Sequence, residues 1–383
     1  MSKSRLIGVD LFRAIAAFAV IVIHAGGALL ESNPPQDVTP LQVLMQFCRF
    51  AVPFYLAASF YLTVGKLLAA PQQFGLKAFL VSRTQRLVIP YAIWSGIYFA
   101  IRFAKAAPSS SATAQLLQDP LFLILLGGSA IHLYFLPLLI SGSLLVPLLK
   151  PLATFLKPLR NRVVLLLVSM AIYESIFATG NAFNLGVNCL EVPHGCSVAF
   201  VPFWEQFGLT MQQPIVRVAS PLVAWCLRGW LYICASAVLH HPSVQRRLSN
   251  LNASHALLWG GVFILATLGG ELEWFKVIYF PLSVYELGVS YGLLLSGIAL
   301  SRSLQFHHRI VALGNASFGI YLVHYLILVV YAALATKGSL GSSAVQFPIL
   351  WTLVLASLTY LTSWGITLGL NRQPLLRRLL FGG

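Results

Sequence analysis

The chain has 383 residues, 58% of them hydrophobic and only 9% charged, against about 25% charged in a soluble domain; this balance excludes a water-soluble fold and describes a chain that uses a bilayer as solvent for most of its length. The formal net charge of +15 raises nucleic acid as a partner, but no basic stripe is interleaved with aromatics, and the lysines and arginines cluster between apolar runs as topology signals do. One all-α membrane domain over residues 1–383 is expected, with membrane lipids as its surroundings and no nucleic acid or appended soluble domain.

A spanning helix needs about 20 apolar residues. Ten candidates follow in chain order: 6–30, 41–65, 87–107, 131–149, 163–179, 217–239, 255–271, 274–300, 313–335 and 346–370. A short interfacial helix near 115–126 precedes the fourth. Arg217 and Arg228 interrupt the sixth. Near the N-terminus, Asp10 and Arg13 break the apolar run that a cleavable signal peptide needs, so none is expected.

The connectors separate by charge. One set holds Lys3 and Arg5; Lys66, Lys77, Arg83 and Arg86; Lys150, Lys157, Arg160 and Arg162; Arg246 and Arg247; Arg302 and Arg309; and Arg372, Arg377 and Arg378. The alternate set holds Lys276 and Lys337, with Arg102 and Lys105 near a helix end. Most acids fall with it: Glu31, Asp37, Asp119, Glu191, Glu205, Glu271 and Glu273. The positive-inside rule makes the first set cytoplasmic, and ten spans with both termini in the cytoplasm satisfy it. The expectation is an integral protein of a bacterial inner membrane, with no internal repeat of the transporter kind. Cys48, Cys226 and Cys234 fall in apolar segments and read as small hydrophobes. Cys189 and Cys196 share the polar loop NCLEVPHGCS, whose spacing permits a disulfide without requiring one.

The first span, VDLFRAIAAFAVIVIHAGG from Val9 to Gly27, carries Asp10, Arg13 and His24, each costly in hydrocarbon. Helix geometry puts Arg13 about 10 Å into the membrane and His24 about 27 Å, near the far boundary. Eleven residues apart, they return to nearly the same face, about 16 Å from each other along the axis. Asp10, three residues before Arg13, lies within pairing reach. Singly, each residue reads as snorkelling or interfacial. Aligned, with a buried acid, they describe a helix lining a polar cavity. Arginine grips phosphate or carboxylate with a fork of donors. A histidine near the outer face can act as general base on a hydroxyl presented there. The line suits a cytosolic anionic ligand that reaches across the membrane.

Arg13, ten residues, then His24 is the hallmark of the acyltransferase-3 family of integral membrane acyltransferases, which this helix resembles. RFAVPFYLAASFYL (Arg49 to Leu62) is similar to the family's second-helix signature, with Ser59 in place but Phe60 where glycine is usual; that bulk is expected to close the local helix approach. RTQRLVIPYAIWS (Arg83 to Ser95) carries its Arg-x-x-Arg, IHLYFLPLLI (Ile131 to Ile140) its His-Leu-aromatic stretch, and NASFGIYLVHYLIL (Asn315 to Leu328) its late helix. The resemblance implies transfer of an acyl group, commonly acetyl, from cytoplasmic acyl-CoA to a hydroxyl on a glycan or lipid-linked acceptor outside. It implies His24 as the catalytic histidine, Arg13 as its motif partner, and Arg83 and Arg86 at the acyl-CoA site. Without it, those two arginines read as an ordinary positive-inside cluster.

Other polar residues lie inside the spans. His132, at the outer start of the fourth, is either an acceptor-site or an interfacial residue. Ser317, Tyr321 and His324 share a helix face, and packing or cavity lining is the favoured reading of His324. Glu286 and Glu174 are expensive in the membrane unless paired or protonated; Arg49 and Arg228 are their possible partners. Ser59, Arg49, Glu286, Tyr321, His324 and His132 are the substrate-site candidates. No cluster has metal-ligand spacing, and the pairs His240-His241 and His307-His308 read as solvated loop charge. The rival to an acyltransferase is a transporter or flippase of a polar lipid or solute, which also needs buried charge and a crossing cavity.

Overall fold

The computed structural model describes residues 5–32, 34–117, 119–178, 204–210, 213–304, 308–335 and 345–383. Lys3, Glu191, His307, Lys337 and the Cys189–Cys196 pairing lie outside the described residues. The described residues form helices and connectors, with no strand among them. In chain order the helices are α1 (Ile7–Ser32), α2 (Thr39–Phe47), α3 (Ala51–Ala69), α4 (Leu76–Arg83), α5 (Ile89–Ala106), α6 (Ser110–Leu117), α7 (Pro120–Leu125), α8 (Phe135–Ser143), α9 (Leu159–Ala178), α10 (Pro214–Leu239), α11 (Pro242–Leu248), α12 (Ala253–Trp274), α13 (Leu282–Ser303), α14 (His308–Ala335), α15 (Pro348–Asn371) and α16 (Pro374–Phe381).

Among the described residues eight helical stretches are long and apolar enough to cross a membrane: Ile7–Ser32, Thr39–Ala69, Leu76–Ala106, Pro214–Leu239, Ala253–Trp274, Leu282–Ser303, His308–Leu334 and Pro348–Asn371. They coincide with eight of the ten expected spans. The 20-residue α9 occupies the place of the fifth. The fourth differs from expectation. Residues 128–134 form turns, α8 has nine residues, and a 3-10 turn, Val146–Leu149, follows. Pro147 is the second residue of that turn and offers no N–H to an α-helical ladder. Gly127 takes φ 77°, where a Cβ would meet Tyr134 N at 2.6 Å. The expected interfacial helix is split into α6 and α7 at Asp119, whose carboxylate caps α7 by accepting from Phe122 N at 3.2 Å.

The chain divides into two compact units. The first comprises Met1–Ser59 and Pro242–Arg377; the second comprises Phe60–His241 and Arg378–Gly383. In the first unit α1 packs against α13, α14 and α15, and α12 pairs with α13. The core joins Ala17, Ile21, Val22 and Ala25 of α1 to Ala316 and Ile320 of α14 and Ala356 of α15. Gly8 of α1 and Gly297 of α13 touch backbone to backbone, and Gly8 N donates to Ser301 Oγ at 2.9 Å. The start of α1 therefore meets the end of α13, and the two run antiparallel. α14 runs parallel to α1, because Gly314 meets Asp10 and His324 meets His24. α12 is antiparallel to α13, with Ser296 Oγ donating to Ala256 O at 3.0 Å, and so parallel to α1. The chain returns antiparallel to α1, since Met45, before α3, meets Gly26 late on α1 and Tyr55 of α3 meets Arg13 early on it.

In the second unit α10 packs against α7, α8 and α9. Gly142 and Gly229 touch backbone to backbone, and the Phe60 ring lies over Gly142, stacked on Tyr232 at 6.5 Å between centroids. The bulk expected to close a helix approach is instead seated on a glycine. Arg217 Nε meets Asp119 Oδ2 at 2.8 Å, with both side chains 8% exposed. Arg162 spends two donors on the carbonyls of Leu156 (2.5 Å) and Ala237 (2.6 Å). His240 is not solvated loop charge: its ring stacks on Tyr61 at 4.4 Å, and Nε2 lies 2.8 Å from the Tyr61 carbonyl.

Candidate active site

Asp10 sits early on α1, facing α14. Gly314 permits that approach: a side chain there would meet Asp10 Cβ at 2.5 Å and its carbonyl oxygen at 2.9 Å. The Asp10 carboxylate accepts from two arginines, Arg5 Nε at 2.6 Å and Arg13 Nη1 at 3.4 Å. The pairing with Arg13 expected from spacing is present. Arg5, read from the sequence only as a topology charge, makes the shorter contact and also donates from Nη2 to Asn315 Oδ1 at 2.5 Å. One carboxylate between two guanidiniums leaves an excess positive charge. The side chains of Arg5 and Arg13 remain 42% and 31% exposed, so that charge faces an accessible side. Tyr55 donates its hydroxyl to the Arg13 carbonyl at 2.7 Å, tying α3 to α1 at this level.

About four turns further along α1, His24 is half-buried. Its ring centroid lies 5.4 Å from that of His324, and Tyr325 meets it edge-on at 5.7 Å. His324 is fully buried, with Nδ1 2.6 Å from the Tyr321 carbonyl. A carbonyl can only accept, so Nδ1 carries the proton and Nε2 is the basic nitrogen of the neutral ring. Ser317 and Tyr321 are buried on the same helix, and Ser317 Oγ donates to Gly314 O at 2.8 Å. α14 thus reaches both ends of the polar line on α1: Gly314 at Asp10 and His324 at His24.

Beside the His24 end is a cleft of about 150 Å³, lined by residues including Ile23, Gln42, Met45, Gln46, Arg49 and Trp274. The Arg49 guanidinium lies over the Trp274 ring, 4.6 Å from its centroid. Sequence reading singled out Arg49 but missed Gln42, Gln46 and Trp274. The available signal was position: Gln42 and Gln46 are four residues apart and Arg49 three further, one face of a helical stretch. Ser59 is half-buried on α3. Glu286 is 2% exposed within α13, its carbonyl accepting from Ser290 Oγ at 2.6 Å.

Arg83, Arg86 and His132 belong to the second unit. Arg83 precedes a π-helical turn, Thr84–Val88, that contains Arg86; such turns are enriched at functional sites. Arg83 Nη2 donates to Thr63 Oγ1 at 2.5 Å, and its guanidinium covers the Phe79 ring at 5.1 Å. Arg86 is exposed, and Gly382 packs on its backbone. His132 is 1% exposed and edge-on to Tyr98 at 5.0 Å. It lies in the turn before α8, rather than on a membrane helix as expected. Among the described residues no group of three or more His, Cys, Asp or Glu is placed to hold a metal ion.

A family model described as an acyltransferase domain, that of the acyltransferase-3 family, matches residues 6–368. No curated protein and no solved structure matches the chain.

Proposed function

The chain belongs to the acyltransferase-3 family, and we propose that it is a membrane O-acyltransferase that moves an acyl group, acetyl in the simplest case, from cytoplasmic acyl-CoA to a hydroxyl of a glycan or lipid-linked acceptor on the far side of an inner membrane. The observation that carries this reading is the pairing of His24 with His324 at one end of a polar line whose other end holds the open, positively charged group of Asp10, Arg5 and Arg13.

In this proposal His24 is the general base. It removes the proton of the acceptor hydroxyl as the oxygen attacks the thioester carbonyl. The C–O bond forms, the C–S bond breaks, and the thiolate leaves as CoA, taking the proton from His24. His324 positions the ring of His24 by packing against it, its own tautomer set by the Tyr321 carbonyl. Asp10 orients Arg13, and Arg13 attracts the anionic donor. The roughly 16 Å along α1 between Arg13 and His24 is comparable to an extended pantetheine arm. On the family resemblance alone, Arg83 and Arg86 of the second unit are the further residues proposed for acyl-CoA phosphates.

The test is release of free CoA by the purified protein from labelled acetyl-CoA with a hydroxyl acceptor. Full activity in His24→Ala sinks the mechanism. A transporter would move solute without releasing CoA.

A further inference from the structure

The cleft beside His24 has a composition unlike the rest of the apolar bundle. Gln42 and Gln46 each bring a carboxamide, with two donors and one acceptor. Arg49 brings donors only. Trp274 is 45% exposed and offers an aromatic face at the end of α12. That platform is fixed: Val277 N donates to Leu272 O at 2.8 Å across a helix cap in which Lys276 takes φ 57°, and Glu273 accepts from Phe280 N at 2.9 Å. Glu271, 9% exposed, has Arg49 as its charged neighbour. Its Oε2 has no hydrogen-bond partner among the described residues. α2 is pressed onto α1 here because Gly26 has no side chain to strike the Met45 sulfur.

We propose that this cleft is an acceptor subsite for an uncharged pyranose ring. The apolar face of the sugar stacks on Trp274, and vicinal hydroxyls, each both donor and acceptor, bridge Gln42, Gln46 and Arg49. The cavity of about 150 Å³ holds on the order of ten waters, which is room for one ring. Glu271 is a charged neighbour of Arg49, which weakens the pull of the guanidinium on an anionic sugar. Ile23 lines the cleft, and His24 follows it at the same level of α1, about 100° around the helix and facing α14; the sugar therefore binds at the depth of His24, and the hydroxyl to be acylated is one that reaches around α1 toward that ring. This inference deepens the acyltransferase reading and rests on it.

The experiment uses the full chain in phospholipid nanodiscs prepared without glycoside detergents. Saturation-transfer NMR is recorded with methyl pyranosides of glucose, galactose, mannose and N-acetylglucosamine, and with methyl glucuronide as the anionic comparison. At least one neutral glycoside binds the wild type. Binding weakens about tenfold in Trp274→Ala and in the Gln42→Ala, Gln46→Ala pair and is largely kept in Trp274→Phe. Equal binding by wild type and Trp274→Ala, preference for the glucuronide, or saturation by glycerol phosphate instead of any glycoside overturns the subsite. CoA release separates the two readings. Glycoside binding without CoA release supports the sugar site while removing the acyltransferase. CoA release with an acceptor KM unmoved in Trp274→Ala removes the sugar site alone.

Discussion

Two arginine–carboxylate groups in this molecule look alike in sequence and differ in setting. Asp119 and Arg217 form a sealed ion pair, each side chain 8% exposed. Asp10 is shared by Arg5 and Arg13, whose side chains stay 42% and 31% exposed. A sealed pair gives a ligand no access, and removing one member strands a charge in low dielectric. An open group with one cation too many gains little from its own contacts and retains attraction for an anion. The difference separates a fastening of the fold from a place where something binds.

The comparison sharpens first at the polar line that the open group shares with His24. Substituting His24 by Ala should lower CoA release by about 100- to 10,000-fold with no change in thermal unfolding; activity within tenfold of wild type would break it. Asp119→Ala should then give the largest stability loss, about 3–5 kcal/mol, read as a lower unfolding midpoint in nanodiscs. Asp10→Asn should reverse that pattern. Its amide still accepts from an arginine, so the unfolding midpoint shifts by less than half as much, while the KM for acyl-CoA changes about tenfold as Arg13 loses its orienting charge. Equal destabilisation by the two substitutions would erase the distinction. The smallest effect belongs to Thr63→Ala, which frees Arg83 from its hydrogen bond and should raise the KM for acyl-CoA about threefold with turnover intact.

The sequence made the helical class legible because hydropathy and length decide which segments can cross. Eight of the ten expected spans returned as long apolar helices. The fourth did not, since Gly127 and Pro147 act on local backbone geometry that average hydropathy does not weigh. At the site, Asp10 with Arg13 and the shared face of Tyr321 and His324 were readable because helix periodicity alone sets them. What periodicity cannot reach is pairing between distant segments. Arg5 with Asn315, His24 with His324, and Arg49 with Trp274 each join residues hundreds of positions apart. Arg217 was visible as an interruption and Asp119 as a loop acid, yet nothing local joins residues 98 apart.

Phe60, resting on Gly142 where Gly142 meets Gly229, ties three positions into one inherited unit. A large side chain at the first is tolerable only while the other two stay small. Relatives that restore glycine at the first lose the ring from this contact, but a Cβ at the second would still meet the Gly229 Cα at 3.0 Å, so the two facing positions stay small. Introduced into this chain, Gly142→Ser should be disruptive, and Phe60→Gly in the same chain should relieve only the part owed to the ring, leaving the strain against the Gly229 backbone.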